Sequence, residues 1–156
     1  MTRLARLLSP SNVQLNLPAS SKKRLFEHAA LMFENHQGLE RSRVFDALFA
    51  RERLGSTGLG SGVAIPHGRI KGLRDASAAI IRCVEPIAFD APDGLPVRLL
   101  VFLLVPEQST EEHLALLAEL AELMSDTQVR ESLMTTNDAA EVQRLLSVWE
   151  PQAPAS

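Results

Sequence analysis

Apolar and polar positions follow each other along this chain in two different patterns. Residues 13–17 switch between apolar and polar side chains at every step, which predicts a half-exposed β-strand. Residues 76–84 and 97–105 are almost continuously apolar, and a shorter apolar stretch lies at 63–65. Continuous apolar strands are typical of a sheet that is covered on both faces. The four stretches therefore predict strands, and the two long ones predict a buried sheet centre.

Between and after these strands, apolar residues recur at the three- and four-residue spacing of helices. One helix is predicted from about Lys22, capped by one of the two preceding serines, and a second over residues 43–53. Ser109 and Glu112 have the spacing of a capping box, which predicts the start of a third helix. The third, fourth and fifth helices are predicted over residues 109–124, 128–134 and 138–148.

The order of these elements indicates the fold class. Helices and strands alternate, which predicts an α/β (or α+β) domain with a central mixed sheet flanked by helices on both sides. A chain of 156 residues with 46% apolar residues is long and apolar enough to build one core. Residues 1–150 are therefore assigned to a single domain, and the proline-rich residues 151–156 to a disordered tail.

Composition excludes several classes of function. The net charge of −3 provides no basic surface for nucleic acid, and the basic residues 22–24 are interpreted as a solvated helix start. The longest apolar run, at 99–105, is far shorter than the ~20 residues that span a bilayer, and the N-terminus lacks a secretory signal. The lone Cys83 is interpreted as a buried small apolar residue. We therefore expect a cytoplasmic protein without membrane insertion.

Backbone freedom is concentrated in one part of the chain, because six of the eight glycines lie between Gly55 and Gly72. Glycine-rich loops often hold anions on their backbone N–H groups. A nucleotide-binding P-loop requires a lysine after its last glycine, yet Ser61 follows Gly60. The glycine spacing of a dinucleotide-binding loop is also missing, and the chain enters a strand instead of a helix. The loop therefore indicates an anion site that does not bind a nucleotide.

A histidine follows this loop in the sequence Ile-Pro-His-Gly. Pro66 has no N–H group and is expected to end the ladder of strand hydrogen bonds, which places His67 at a strand terminus. Gly68 is expected to leave the space beside the imidazole open. A histidine nucleophile needs one unprotonated ring nitrogen, and an unperturbed pKa near ~6.5 provides neutral imidazole at neutral pH. On local chemistry alone, a nucleophilic His67 and a histidine that caps a turn are equally well supported.

Three other polar residues are candidates for the same site. His113 lies in the first turn of the third predicted helix, where a neutral imidazole can donate to an anion, although helix capping is the commoner role. Arg51 and Glu52 continue the apolar stripe of the second helix, which indicates either a polar site beyond the core or a salt-linked helix end. Arg51 can neutralise a phosphoryl group, and Glu52 can orient a loop or a histidine. Ligand spacings typical of zinc are missing, so no metal is expected.

The stretch from Arg51 to Gly68, RERLGSTGLGSGVAIPHG, resembles type-2 enzyme IIA domains of the bacterial phosphotransferase system. This is the fructose/mannitol group, which also includes the nitrogen-regulatory enzyme IIA. The resemblance covers nearly the whole chain, to about residue 148, and in detail it favours the nitrogen-regulatory branch. The matching segments are residues 85–87, 96–97, 103–106 and 113–114, and those most similar to the nitrogen-regulatory branch are 50–54, 68–73 and 89–94.

The resemblance implies a mixed five-stranded sheet and a phosphoryl group on His67, accepted from a small histidine-containing phosphocarrier protein. It also implies that Arg51 and His113 lie around the phosphorylated ring. Backbone amides near residues 56–58 are expected to meet the transferred group. The transfer requires no cofactor, so the chain is predicted to be a phosphohistidine relay rather than a self-contained turnover enzyme. Supporting roles are assigned to Glu52, Ser56, Thr57, Gly58 and Gly68.

Three functions remain open at this point. A nitrogen-regulatory enzyme IIA would control partner proteins through its phosphorylation state, and this is the main prediction. A sugar-transport enzyme IIA would instead pass its phosphate to an enzyme IIB. A phosphate-independent binding module would keep the glycine loop only as a scaffold, and His67→Ala would then leave every partner interaction unchanged.

Overall fold

The computed structural model describes residues 2–108 and 111–150, in which six strands form one mixed sheet. The strands are β1 (Val13–Leu17), β2 (Gly58–Gly60), β3 (Val63–Ala64), β4 (His67–Ile70), β5 (Ser77–Ile87) and β6 (Val97–Pro106). The α-helices are α1 (Arg3–Leu7), α2 (Lys22–Gln37), α3 (Arg41–Glu52), α4 (Glu111–Ser125), α5 (Thr127–Thr135) and α6 (Ala139–Val148), and a 3-10 helix covers Pro10–Asn12. The predicted capping role of Ser109 and the predicted disordered tail at 151–156 lie outside the described residues.

The two long strands, β5 and β6, pair in antiparallel orientation at the centre of the sheet. β1 pairs in parallel with β5, β3 and β4 both pair in parallel with β6, and β2 pairs antiparallel with β3. Val63 lies opposite Leu99 and His67 opposite Leu103, so β3 and β4 keep one register along β6. They form one strand that is interrupted at residues 65–66. Six segments thus make up the five strands that the resemblance implies, and the predicted fold class is confirmed.

The central strand β6 explains why helices cover both faces of the sheet. Its side chains alternate between the two faces, as those of any strand do. Leu100 and Leu104 belong to one apolar cluster, with residues of α2 and α3. Leu99 and Leu103 belong to a second cluster, with residues of α1, α4, α5 and α6. The prediction of a sheet that is buried on both faces is therefore confirmed.

Side-chain caps set the ends of several helices. The Ser21 hydroxyl accepts a hydrogen bond from the Arg24 N–H at the start of α2, and the helix ends at Gly38, whose φ of +70° is left-handed. The carboxylates of Asp126 and Asp138 cap α5 and α6. All five predicted helices are present. The sequence pattern misses α1, the 3-10 helix, β2 and β4, of which β4 matters most because it begins at His67.

Candidate functional site

His67 is the first residue of β4, where it is half-buried beside β6. The N–H of Leu103 donates a hydrogen bond of 2.9 Å to the carbonyl oxygen of Pro66. Pro66 lacks a donor but not an acceptor, so it keeps the chain on β6 and pairing resumes at the next residue. The ladder is therefore interrupted around Pro66 but not ended there. His67 lies at a strand terminus as expected, although it is the first residue of a strand and not the last.

A backbone carbonyl fixes the tautomer of the His67 ring. Nδ1 of His67 lies 2.9 Å from the carbonyl oxygen of Ile65. A carbonyl oxygen can only accept a hydrogen bond, so Nδ1 carries the proton and donates it. In the neutral ring, the lone pair is then on Nε2. This is the arrangement that a histidine nucleophile needs, with one nitrogen held and the other unprotonated.

The surroundings of His67 favour the neutral imidazole. Burial is the largest cause, and it lowers the pKa of His67 below its ordinary value of 6.5. The positive charges of Arg51 and Arg69 lower this pKa further, whereas the Ile65 carbonyl and the Glu52 carboxylate oppose the shift. The net direction is downward, so the ring is unprotonated at neutral pH.

Glu52 is a buried carboxylate at the last residue of α3. It accepts hydrogen bonds from the Lys22 ammonium at 2.7 Å, the Thr57 hydroxyl at 2.6 Å and the Thr57 N–H at 3.2 Å. The Thr57 carbonyl in turn accepts a bond of 3.0 Å from the N–H of Ile65. The end of α3 is therefore tied to the strand segment that carries His67. Of the two alternatives that the sequence left open for Glu52, the ion pair with Lys22 matches the salt-linked helix end, and a polar site around His67 stays a prediction.

Arg51 lies half-buried next to Glu52 and bridges the start of the glycine loop. Its Nη1 donates a hydrogen bond of 2.9 Å to the carbonyl oxygen of Gly55. This contact uses one of the five N–H groups of a guanidinium, which presents its donors in a planar fork. After burial, which is the largest cause, its positive charge is one of the causes that lower the pKa of His67. The structure thus brings Arg51, Glu52 and His67 into one electrostatic environment.

Two amides of the glycine loop, those of Thr57 and Gly58, already donate to side-chain oxygens. The Ser56 hydroxyl donates to the carbonyl oxygen of Phe89 at 2.9 Å and accepts from the N–H of Gly58 at 3.1 Å. The N–H of Thr57 points to Glu52. The N–H groups of Thr57 and Gly58 already have acceptors, which counts against the expectation that these two amides meet a phosphoryl group. For the Ser56 amide that expectation stays a prediction. Ser56 and Thr57 fix the loop, and a role for Arg51 as the partner of an anion stays a prediction.

Gly68 serves the packing of β4 rather than the space around the histidine ring. A Cβ atom at this position would lie 2.8 Å from the carbonyl carbon of Ala47 in α3 and 2.9 Å from its oxygen. Successive side chains of a strand point to opposite faces, so this contact lies across the sheet from the His67 ring. The expectation that Gly68 opens the space beside the imidazole is wrong. Gly58 has a similar packing role, because a Cβ there would lie 2.8 Å from the Ala91 Cβ.

His113 lies in the first turn of α4 and lines a surface depression of about 200 Å³. The depression also contains Pro106, the partner of Ile70 in β4. Ile70 lies three positions after His67, which corresponds to ~10 Å along the strand. The His67 side chain points to the same face as its partner Leu103, and α4 covers that face. His113 therefore lies on the same face of the sheet as the His67 side chain. That His113 comes close to the His67 ring stays a prediction.

Lys22 is a site residue that the sequence reasoning missed. Its side chain is only 21% exposed and reaches Glu52, so the interpretation of residues 22–24 as a solvated helix start is wrong for Lys22. A signal was available, because a cation at the first residue of a helix opposes the helix dipole. Such a residue needs a compensating partner, and here Glu52 provides it.

Metal ligation finds no support in the described residues. Within residues 2–108 and 111–150, no group of three His, Cys, Asp or Glu side chains could hold a metal ion. Cys83 is buried in β5, and burial raises the pKa of its thiol to about 11, so it is an unreactive apolar side chain. The described helices include none that is both long enough and apolar enough to cross a membrane.

Comparison with known proteins identifies the family. The family model described as phosphoenolpyruvate-dependent sugar phosphotransferase system, EIIA 2, matches residues 6–148. The chain belongs to this family. A nitrogen regulatory protein from Pseudomonas aeruginosa is 43% identical to it over 140 residues, which cover 89% of this chain and 91% of that protein.

Solved structures agree with this membership in the EIIA 2 family. The crystal structure of the nitrogen regulatory protein IIA-Ntr from Neisseria meningitidis matches with a TM-score of 0.87 and 53% identity, covering 91% of this chain and 97% of that one. The crystal structure of IIA mannitol from Escherichia coli matches with a TM-score of 0.76 and 25% identity, covering 89% and 98%. These similarities support a phosphoryl-carrier role for this EIIA domain.

Proposed function

We propose that His67 accepts a phosphoryl group on Nε2 from the phosphohistidine of a small phosphocarrier protein. The observation that carries this proposal is the 2.9 Å hydrogen bond between Nδ1 and the Ile65 carbonyl. It leaves Nε2 as the one ring nitrogen with a lone pair, and the lowered pKa of His67 keeps that lone pair unprotonated. Membership of the EIIA 2 family supplies the reaction type.

The transfer step balances without an added proton. The lone pair on His67 Nε2 attacks phosphorus in line with the bond that leaves, and a new N–P bond forms. The N–P bond to the carrier's ring breaks, and its electron pair returns to that ring. Nδ1 keeps its proton throughout and donates it in a hydrogen bond to the Ile65 carbonyl oxygen. Positioning and charge compensation are then the main contributions of the site.

Charge compensation comes from the side chains around the ring. A phosphoryl group adds about −1.5 to −2 charges, taking phosphoserine as the guide. The Arg51 guanidinium acts on the ring and is the proposed partner of the phosphoryl oxygens. Glu52 would repel a dianion, but its charge is paired with the Lys22 ammonium. We assign His113 to the rim of this site as a hydrogen-bond donor.

Regulation of partner proteins is the proposed consequence of phosphorylation in the cytoplasm. The similarity to nitrogen regulatory proteins supports this branch of the family. A new charge of this size at a half-buried surface position changes which proteins can dock there. The proposed partners are a phosphocarrier protein upstream and regulated target proteins downstream.

The proposal is tested by incubating the purified chain with phosphoenolpyruvate, enzyme I and the carrier protein. We expect acid-labile phosphate on the wild-type chain and none on the His67→Ala variant. The exposed His36 provides the matched control, and His36→Ala should be labelled like the wild type. Label that persists in His67→Ala would contradict the proposal.

A transport role is the second candidate, because the fold also matches IIA mannitol at 25% identity. A transport enzyme IIA would deliver its phosphate to an enzyme IIB. The phosphorylated chain can be mixed with purified fructose- and mannitol-type IIB domains and the label followed. Retention of the label on the chain favours regulation, and rapid transfer to one IIB favours transport.

A further inference from the structure

Lys22 forms an enclosed ion pair at the start of α2. Its Nζ lies 2.7 Å from a carboxylate oxygen of Glu52 and 3.1 Å from the carbonyl oxygen of Phe89, and 3.9 Å from the centroid of the Phe89 ring. The Lys22 side chain is 21% exposed and that of Glu52 is 3% exposed. An ion pair with so little water around it is screened much less than a surface pair, so its charges act on their neighbours.

A continuous series of hydrogen bonds leads from this ion pair to the histidine ring. Glu52 accepts from both the hydroxyl and the N–H of Thr57. The Thr57 carbonyl accepts from the N–H of Ile65 at 3.0 Å, and the Ile65 carbonyl accepts from His67 Nδ1 at 2.9 Å. Each step joins a different element, from α2 through the end of α3 and the glycine loop to β4. The position of the ring therefore depends on the position of Glu52.

Glu52 also acts on the His67 ring through its charge. Three charged groups act on the His67 ring, namely Arg51, Arg69 and Glu52, and only the Glu52 carboxylate favours the protonated ring. The Lys22 ammonium is in direct contact with that carboxylate. An unpaired buried carboxylate would raise the pKa of the imidazole and would also oppose an incoming dianion.

We propose that Lys22 is a positioning residue for His67, which acts by holding Glu52 in place and offsetting its charge. Lys22 does not touch the reacting atoms, so it acts through Glu52, Thr57 and Ile65. The consequence for phosphoryl transfer rests on the proposed function of His67. The effect of Lys22 on the pKa and tautomer of the His67 ring does not depend on that function.

The first test measures the ring by NMR of ¹⁵N-labelled histidine across a pH titration. We expect Lys22→Met to raise the pKa of His67 and to weaken its preference for the Nδ1–H tautomer, because the Glu52 charge is no longer offset. Lys23 is the next residue and is exposed, so Lys23→Met is the matched control and should leave both properties unchanged. Equal results for Lys22→Met and Lys23→Met would overturn the proposal.

Three further variants separate positioning from loss of folding. Lys22→Arg keeps the charge and should keep the pKa of His67 close to that of the wild type. In Lys22→Met/Glu52→Gln both charges are gone, so the pKa should return from its raised value toward the wild-type one. If Lys22→Met fails to fold, Glu52→Gln alone should lower the pKa of His67. No change in that variant would equally overturn the proposal.

The second test measures the rate of phosphoryl transfer from the phosphorylated carrier. Lys22→Met should slow the transfer near pH 6.5 and slow it less at higher pH, because the neutral fraction of His67 recovers there. The concentration of carrier that gives half-maximal rate should stay the same. If the wild type accepts no phosphate, the proposed function fails, while the NMR titration still decides the role of Lys22.

Discussion

At the scale of single residues, the immediate neighbours of His67 set the tautomer and lower the pKa of its imidazole. The Ile65 carbonyl holds the proton on Nδ1, and burial together with Arg51 and Arg69 lowers the pKa of the ring. A lone pair on Nε2 is therefore available at neutral pH without a separate general base. If His67 is the nucleophile that we propose, its surroundings activate it, and no proton acceptor has to move.

The lowered pKa of His67 predicts how stability depends on pH. The unfolded chain takes up a proton near the ordinary pKa of 6.5, whereas the folded chain takes it up only at lower pH. Below about pH 6.5 the unfolded state therefore binds more protons, and the free energy of unfolding falls as the pH falls. His67→Gln removes this contribution, so its free energy of unfolding should decline less from about pH 7 to about pH 5. Urea unfolding curves that decline in parallel for both proteins would contradict the account.

The second prediction at this scale concerns Arg51. Replacing it with glutamine removes the charge that is proposed to meet the phosphoryl oxygens, and the rate of phosphoryl acceptance should fall by about 10²-fold. Arg53 lies two residues away and is exposed, so Arg53→Gln serves as the matched control. Rapid-quench measurement of transfer from the phosphorylated carrier gives both rates. Similar rates for the two variants would show that Arg51 does not meet the phosphoryl oxygens.

At the scale of elements, the site depends on how α3, the glycine loop and β4 fit together. Local patterns predicted α3 well, because Val44 and Leu48 repeat at helical spacing and both are buried. They did not predict β4, because that strand has only one large apolar residue and owes its existence to pairing with β6. They also assigned Gly68 to the wrong neighbour, since its contact with Ala47 exists only in the folded chain.

The contact between Gly68 and α3 gives a prediction about packing. In Gly68→Ala the added Cβ would meet the backbone of Ala47 at 2.8–2.9 Å, and a helix backbone cannot move aside easily. The free energy of unfolding should fall by about 1–3 kcal/mol, measured by urea denaturation. The double variant Gly68→Ala/Ala47→Gly should be no more stable than Gly68→Ala, because the clash involves the backbone and not the Ala47 methyl group. Rescue by Ala47→Gly would show that the contact is described wrongly.

At the scale of the whole molecule, the sheet provides a rigid frame for the candidate site at His67. Both faces of β6 are buried under helices, and the interrupted strand of β3 and β4 lies beside it. The two apolar runs and the helical spacing were sufficient to predict this frame. The Ile-Pro-His-Gly sequence with its preceding glycines was sufficient to select His67 as the candidate phosphoryl acceptor. The role of Lys22 required the structure, because its partner Glu52 is thirty residues away in the chain.

The central claim is that His67 carries the phosphoryl group on Nε2. It is tested most directly by NMR of the ¹⁵N-histidine-labelled chain after phosphorylation by phosphoenolpyruvate, enzyme I and the carrier protein. We predict coupling between phosphorus and Nε2 of His67, with the proton retained on Nδ1. Coupling to Nδ1, coupling to another histidine, or no phosphorus on the chain would contradict the account.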